Sequence, residues 1–164
     1  MSRKKTILSY KRKIRTDYRK RLSLLKSNKL RLVVRKALNN VLLQIVKYEA
    51  NGDKILVTAH STILKKYGWN YHKGNLPSAY LTGIVCGKLA KKKDIHEVIL
   101  DIGLARSIKG SVQYAAVKGV IDSGLKINCS EDVFPKEDKL SGKTISDDVH
   151  KKFLEIKGKI LGEK

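Results

Sequence analysis

Three short apolar runs separated by turn signals place the strongest constraint on the fold of this chain. The runs are rich in Leu, Val and Ile and have strand length: LRLVVRK (30–36), VLLQIVKY (41–48) and ILVTAH (55–60). Asn39–Asn40 separates the first two runs and Asn51–Gly52 separates the last two, and both pairs are hairpin signals. The pattern therefore predicts an antiparallel three-strand meander, with Arg31 and Arg35 on one face of its first strand.

Helical patterns and one further buried strand follow the meander. We predict helices over residues 61–68, 76–93 and 110–124, a strand over 95–103, and a candidate short strand over 125–128. Ser61 is expected to cap the first of these helices and Gly68 to end it. Gly83 and Gly87 lie four residues apart on the long helix, so a neighbouring backbone can approach closely there. The predicted class is α/β, a mixed sheet with an N-terminal antiparallel three-strand meander and packed helices, preceded by a basic N-terminal extension.

The charge of the chain is distributed unevenly along its length. Residues 1–36 contain fifteen Lys or Arg and one acid, Asp17, whereas residues 128–164 contain eight of each sign. We therefore predict a basic extension over residues 1–29, an α/β domain over 30–127 and a neutral, partly helical tail over 128–164, to which we assign no role. The extension should include a short helix with Thr16 as its N-cap and Asp17 in its first turn.

The basic extension requires a polyanionic partner, because its like charges repel one another unless they are neutralised. Nucleic acid, an anionic membrane and an acidic protein are the candidates. A membrane helix needs a wide apolar face, and the extension offers only a narrow stripe at Tyr18, Leu22 and Leu25. Arginine forks suit phosphate, and the rings of Tyr10 and Tyr18 can stack on bases. We predict that the partner is RNA and that the chain binds no membrane.

The sequence offers little support for catalysis. It contains no phosphate-binding glycine motif and no His or Cys pair at metal-ligand spacing, so no metal, cofactor or small-molecule substrate is expected. Asp101 follows a buried strand, where α/β enzymes can hold an acid, but it lacks partner carboxylates and is predicted to be a cap or an ion-pair partner. Cys86 and Cys129 are predicted to be packing residues of a reduced, intracellular chain without a signal peptide.

The segment YGWNYHKGN, residues 67–75, is unusual because it combines three aromatic residues with glycines, amides and a lysine. Two interpretations remain open. In the first, Trp69 and one tyrosine anchor the core and Asn75 caps the next helix. In the second, the loop stacks on unpaired bases or packs against an RNA backbone. Different residues of the loop can serve each role.

Seven segments of the chain, taken in order, carry a resemblance to one protein family. They are TDYRKRLSLLKSNKLRLVVRK, QIVKY, GDKILVTAHS, KYGWNYHKGNLPSAYLTGIVCGK, VILDIGL, KGSVQYAAVKGVIDSGLKI and SEDVFPKED. Together they resemble the archaeal form of the large-subunit ribosomal protein eighteen family, over about residues 8–142. The resemblance implies a ribonuclease-H-like but non-catalytic domain. It also implies a structural constituent of the cytoplasmic ribosome that binds 5S rRNA, reaches the large-subunit rRNA at the central protuberance and contacts neighbouring ribosomal proteins.

The resemblance also nominates RNA-binding residues by matching motif. They are Tyr10, Lys11, Arg12, Arg15, Thr16, Tyr18, Arg19 and Arg21 in the extension, Arg31 and Arg35 in the first strand, and Trp69, His72, Lys73, Gly74 and Asn75 in the loop. Asp17 is expected to be structural. This chain departs from the family where ALNN (37–40) replaces a Ser-Asn-basic-His turn, and Asn39 and Asn40 are nominated as substitutes there. Val112 stands where the family has an arginine, so one phosphate contact is expected to be lost.

Two other functions compete with this interpretation. A free-standing RNA-binding module for tRNA or another small structured RNA would need the same cations, but the match across both extension and domain counts against it. A metal-dependent nuclease of the related fold would need acids on the first strand and the long helix, which this sequence does not have.

Overall fold

A mixed four-stranded sheet with helices packed against it forms the part of the chain that the computed structural model describes, residues 16–162. The helices are α1 (Tyr18–Leu25), α2 (Leu76–Lys91), α3 (Val112–Asp122), α4 (Glu137–Leu140) and α5 (Asp147–Gly162). The strands are β1 (Arg31–Lys36), β2 (Val41–Lys47), β3 (Lys54–His60) and β4 (Ile99–Asp101). Two 3₁₀ helices, Ser61–Tyr67 and Glu131–Val133, complete the elements of this region.

The strands lie in the order β3-β2-β1-β4, and β1, β2 and β3 form the predicted antiparallel meander. β4 joins the outer side of β1 in parallel, with Val33 opposite Asp101. The predicted mixed α/β class is therefore confirmed. The prediction of a strand over 95–103 was too long at both ends, because β4 begins only at Ile99 and the chain turns at Gly103, which has a φ of +62°. The candidate strand over 125–128 reduces to one isolated bridge between Glu97 and Lys126.

One face of the sheet carries the core and the other remains open in part. Leu32, Val34, Leu43 and Ile45 alternate along β1 and β2 and are buried beneath α2 and α3. The opposite face presents polar and charged side chains of the same strands, including Arg31, Arg35 and Gln44. This second face is the surface on which α1 lies.

Helices α2 and α3 cross with their backbones in direct contact. A Cβ added to Gly83 would lie closer than 3.0 Å to the carbonyl oxygen of Ala116, and one added to Gly119 would lie as close to the carbonyl oxygen of Tyr80. The two glycines therefore form a reciprocal notch. The close approach predicted at Gly83 and Gly87 is confirmed, since a Cβ at Gly87 would collide with Ser123.

The C-terminal helix shares the core of the sheet. Val149, Phe153, Ile156 and Ile160 of α5 are buried in the same apolar cluster as the strands and α2. Their spacing places them on one side of the helix. The helix predicted within residues 128–164 is thus present and packs its apolar face inward, while the proposed division of the chain at residue 127 stays a prediction.

Two predicted helix caps were wrong by one residue. Asp17, not Thr16, caps α1, and its Oδ1 accepts a hydrogen bond from Lys20 N at 3.1 Å. His60 caps the 3₁₀ helix that follows β3, and its Nδ1 accepts from the backbone of Thr62 at 3.3 Å. In both places the capping residue is the last one with an extended backbone, which lets its side chain fold back onto the first turn. Gly68 ends the 3₁₀ helix as predicted, with a φ of +86°.

Candidate nucleic-acid interface

Helix α1 lies across the open sheet face, with Arg19 exposed and with Lys20 and Arg21 in contact with the rest of the domain. None of its residues is buried, and Tyr18, Arg19 and Lys20 are exposed. Two contacts fix it in place. Lys20 Nζ donates to the carbonyl oxygen of Gly103 at 3.2 Å, and Arg21 pairs with Asp53 at 3.0 Å. The helix therefore bridges the end of β4 and the turn between β2 and β3.

A chain of alternating charges runs beneath α1. Its members, in order, are Arg21, Asp53, Arg31, Asp101 and Arg35. Arg31 lies 2.7 Å from Asp53 and 3.0 Å from Asp101, and only 3% of its side chain is exposed. A buried arginine between two carboxylates cannot reach an external phosphate in this arrangement. Asp101 is an ion-pair partner, which confirms that prediction.

Arg35 is the exposed end of this charge chain. Its Nη1 donates to the carbonyl oxygens of Val34 and Asp101, each at 2.9 Å, yet 46% of the side chain remains exposed. The guanidinium lies against Gly103, where an added Cβ would come within 2.8 Å of Cζ. Nη2 also pairs with Asp101 Oδ1 at 3.3 Å, so Arg35 is held in one orientation while nearly half of its side chain stays accessible to a phosphate oxygen.

A groove of about 550 Å³ separates α1 from the open sheet face. Its lining includes Lys20, Val33, Arg35, Gln44 and Ile55. The groove combines cations with apolar side chains and an amide, and Asp17, Asp53 and Asp101 also line it. It therefore presents charges of both signs and hydrogen-bonding groups to a partner.

The turn of residues 37–40 and the loop of residues 69–75 contact each other, and we name them together the turn–loop junction. His72 Nε2 and Asn39 Oδ1 are 3.3 Å apart, and His72 Nδ1 accepts from Gly74 N at 3.1 Å. These bonds require the neutral imidazole with its proton on Nε2. Gly74 also packs on the turn, because an added Cβ would lie 2.8 Å from the carbonyl oxygen of Leu38. The structure thus joins two predicted groups of site residues.

Several nominated residues of the junction have internal partners. Trp69 is fully buried, and its Nε1 donates to the carbonyl oxygen of His72 at 3.2 Å. Asn75 caps α2 by accepting from Ser78 N at 3.1 Å. Asn40 Oδ1 accepts from Ser61 Oγ at 3.3 Å. For Trp69 and Asn75 the first interpretation of the loop, core anchor and helix cap, is confirmed.

Other residues on this surface were not predicted. Lys20, Lys36, Leu38 and Tyr71 are all exposed around α1 and the junction. Lys20 was detectable as an outward position of a short basic helix. Leu38 gave a signal too, since a large apolar residue is unusual in a turn. Four nominated residues, Tyr10, Lys11, Arg12 and Arg15, lie outside the described residues.

The segments that build this surface contain almost no acid. Residues 18–48 and 54–93 have no Asp or Glu, and the acids nearest to α1 and Arg35 are Asp17, Asp53 and Asp101, which are engaged in a helix cap or in ion pairs. Within residues 16–162 no three His, Cys, Asp or Glu side chains are grouped so that they could hold a metal ion. In the same region, no helix combines the length and apolar character that crossing a bilayer requires.

These features define a basic α/β protein with exposed cations on α1, on the open sheet face and beside the turn–loop junction, and with a chain of ion pairs centred on the buried Arg31 beneath α1. The family model described as "Ribosomal large subunit proteins 60S L5, and 50S L18" matches residues 2–94, which is more than half of the chain. The chain belongs to this family of large-subunit ribosomal proteins. It is accordingly an rRNA-binding component of a ribonucleoprotein that acts in translation, and the predicted family is confirmed.

Proposed function

We propose that this protein binds 5S rRNA and helps to attach it to the large-subunit rRNA at the central protuberance of the cytoplasmic ribosome. The observation that carries the proposal is the set of exposed cations on α1, at Arg35 and beside the turn–loop junction, whose two segments contain no acid. Membership of the large-subunit family supports the same assignment. The protein performs no catalytic step in this proposal, and its role is to hold two RNAs in place.

The exposed side chains are proposed to make different kinds of contact with RNA. Arg19, Lys20 and Arg35 neutralise phosphates, and the exposed ring of Tyr18 stacks on a base. Arg31 acts from beneath, by holding the strand and α1 in register. In the extension, Tyr10, Lys11, Arg12 and Arg15 are proposed as further phosphate and stacking contacts. Binding should therefore weaken steeply as the salt concentration rises.

The decisive experiment is a titration of the full chain against 5S rRNA and tRNA at several salt concentrations. We expect a preference for 5S rRNA and a salt slope that corresponds to about five to ten phosphate contacts. Deletion of residues 1–21 should abolish the preference. Arg19→Gln should reduce the slope by about one unit, whereas Lys139→Gln, which changes an exposed lysine on α4, should leave it unchanged.

The alternative, a free-standing module for tRNA or another small RNA, predicts a different result from the same titration. Equal affinities for the two RNAs, lost together at moderate salt, would refute the 5S proposal. Incubation of labelled 5S rRNA with the protein and Mg²⁺ addresses catalysis, and we expect the RNA to remain intact. Cleavage that requires the protein would contradict the structural role.

A further inference from the structure

Leu38 is the most exposed large apolar side chain among residues 16–162, with 89% of its surface accessible. It lies at the tip of the turn between β1 and β2. A single exposed leucine needs no special explanation on most surfaces. Its position here is different, because turns favour polar residues and because the backbone around it is held rigidly.

Contacts on both sides hold the turn in one conformation. Ala37 N donates to the carbonyl oxygen of Asn40 at 2.8 Å, which closes the turn itself. Asn39 contacts His72, and Asn40 contacts Ser61, so both amide side chains have partners within the protein. The one large side chain of the turn that lacks a protein environment is Leu38. The bracing therefore presents an apolar group at a fixed position.

The charges around Leu38 indicate what approaches it. Lys73 belongs to the loop of the junction and Lys36 directly precedes its turn, and neither segment of the junction contains an acid. A protein partner would have to bring its own acids to this place, whereas RNA brings phosphates by nature. Apolar side chains of RNA- and DNA-binding proteins also pack on base faces or enter between unstacked bases. Charge complementarity thus favours RNA over a protein groove.

We propose that Leu38 is an RNA-contacting residue that packs against the face of an unstacked base in rRNA. The proposal rests on the proposed function in that it takes rRNA as the partner, but it does not require that the RNA be 5S rRNA. In this arrangement Asn39, Asn40 and His72 position the turn, and Leu38 makes the contact. The contact is apolar, so its strength should not depend on salt.

The first test compares Leu38→Ala with wild type in the RNA titration. We expect about a tenfold loss of affinity, by the same factor at every salt concentration, because an apolar contact releases no counterions. Lys73→Gln should instead lower the salt slope. Leu154→Ala, which removes another exposed apolar side chain, on α5, is the matched control and should bind as wild type does. Unfolding midpoints should be equal for all three variants and wild type, since each changes an exposed or half-buried side chain.

The second test identifies the partner directly. Benzoylphenylalanine placed at position 38 and irradiated in reconstituted large subunits should crosslink to rRNA. A crosslink to 5S rRNA or to large-subunit rRNA supports the inference, even if the 5S preference itself fails in the titration. A crosslink to a ribosomal protein, or no crosslink together with unchanged affinity of Leu38→Ala, would overturn it.

Discussion

Substitution of Gly83 by alanine tests the backbone contact between α2 and α3. A Cβ at this position would overlap the carbonyl oxygen of Ala116, and backbone atoms cannot move aside as the end of a side chain can. The helices must separate and lose part of their packing, for which overpacking data suggest a cost of about 3 kcal/mol. With a urea m-value of roughly 2 kcal/mol/M, the unfolding midpoint should fall by about 1.5 M. The fluorescence of Trp69, the only tryptophan and fully buried, reports the transition.

Gly158 provides a control, because the same substitution there is expected to raise the stability of the protein rather than lower it. It lies within α5, is exposed, and has no atom within 4 Å of an added Cβ. Alanine there should stabilise the protein by roughly 0.5–1 kcal/mol, because it restricts the unfolded chain and favours the helix. If Gly83→Ala and Gly158→Ala shifted the midpoint in the same direction, the helix-contact argument would be refuted.

Three further predictions follow from buried and paired groups. Asp101→Asn should lower the free energy of unfolding by about 3 kcal/mol, measured by urea denaturation, because it leaves Arg31 buried with a weakened partner. Burial raises the pKa of the Cys86 thiol from 9.0 to about 12. At pH 8 a disulfide reagent should therefore modify Cys86 on the order of a thousand times more slowly than a free thiol. Cys129, which is only partly buried, should be modified first. Lys159 and Lys152 lower the pKa of Glu155 from 4.5 to about 2. The stabilising effect of these two ion pairs should therefore be present above pH 4.5 and be lost as the pH falls towards 2. NMR titration of the carboxyl group can follow this change.

The meander was predictable because its signals are local. Alternating apolar residues and two asparagine-containing turns place β1, β2 and β3 within a residue or two of their observed ends. The burial of Arg31 was not predictable in the same way. Its carboxylate partners, Asp53 and Asp101, are distant in sequence, and no pattern around an arginine in a strand indicates that two acids will enclose it. An exposed cation was the natural interpretation from the sequence alone.

The turn–loop junction shows the same limit for the candidate site. The sequence nominated Asn39 and His72 separately, as members of a turn and of a loop, and 33 residues separate them. Only the fold brings them into contact and reveals that they position the turn. The C-terminal helix was a different case, because the spacing of Val149, Phe153, Ile156 and Ile160 was visible in the sequence. The apolar stripe indicates a helix that packs on a core, whereas the balanced charge of this segment gives no sign of a partner.

The internal pairing of Arg31 also sets an order of events during synthesis of the chain. Asp101 follows Arg31 by 70 residues, and a ribosome adds about 5–20 residues per second, so the arginine precedes this acid by roughly 4 to 14 s. During that interval β1 has no parallel neighbour, and α1 lacks the Gly103 carbonyl that holds Lys20. At that stage Asp53 is available to pair with Arg31, but the second carboxylate that encloses the arginine, Asp101, has not yet been translated. Any RNA nearby competes for Arg31 until β4 emerges and encloses it.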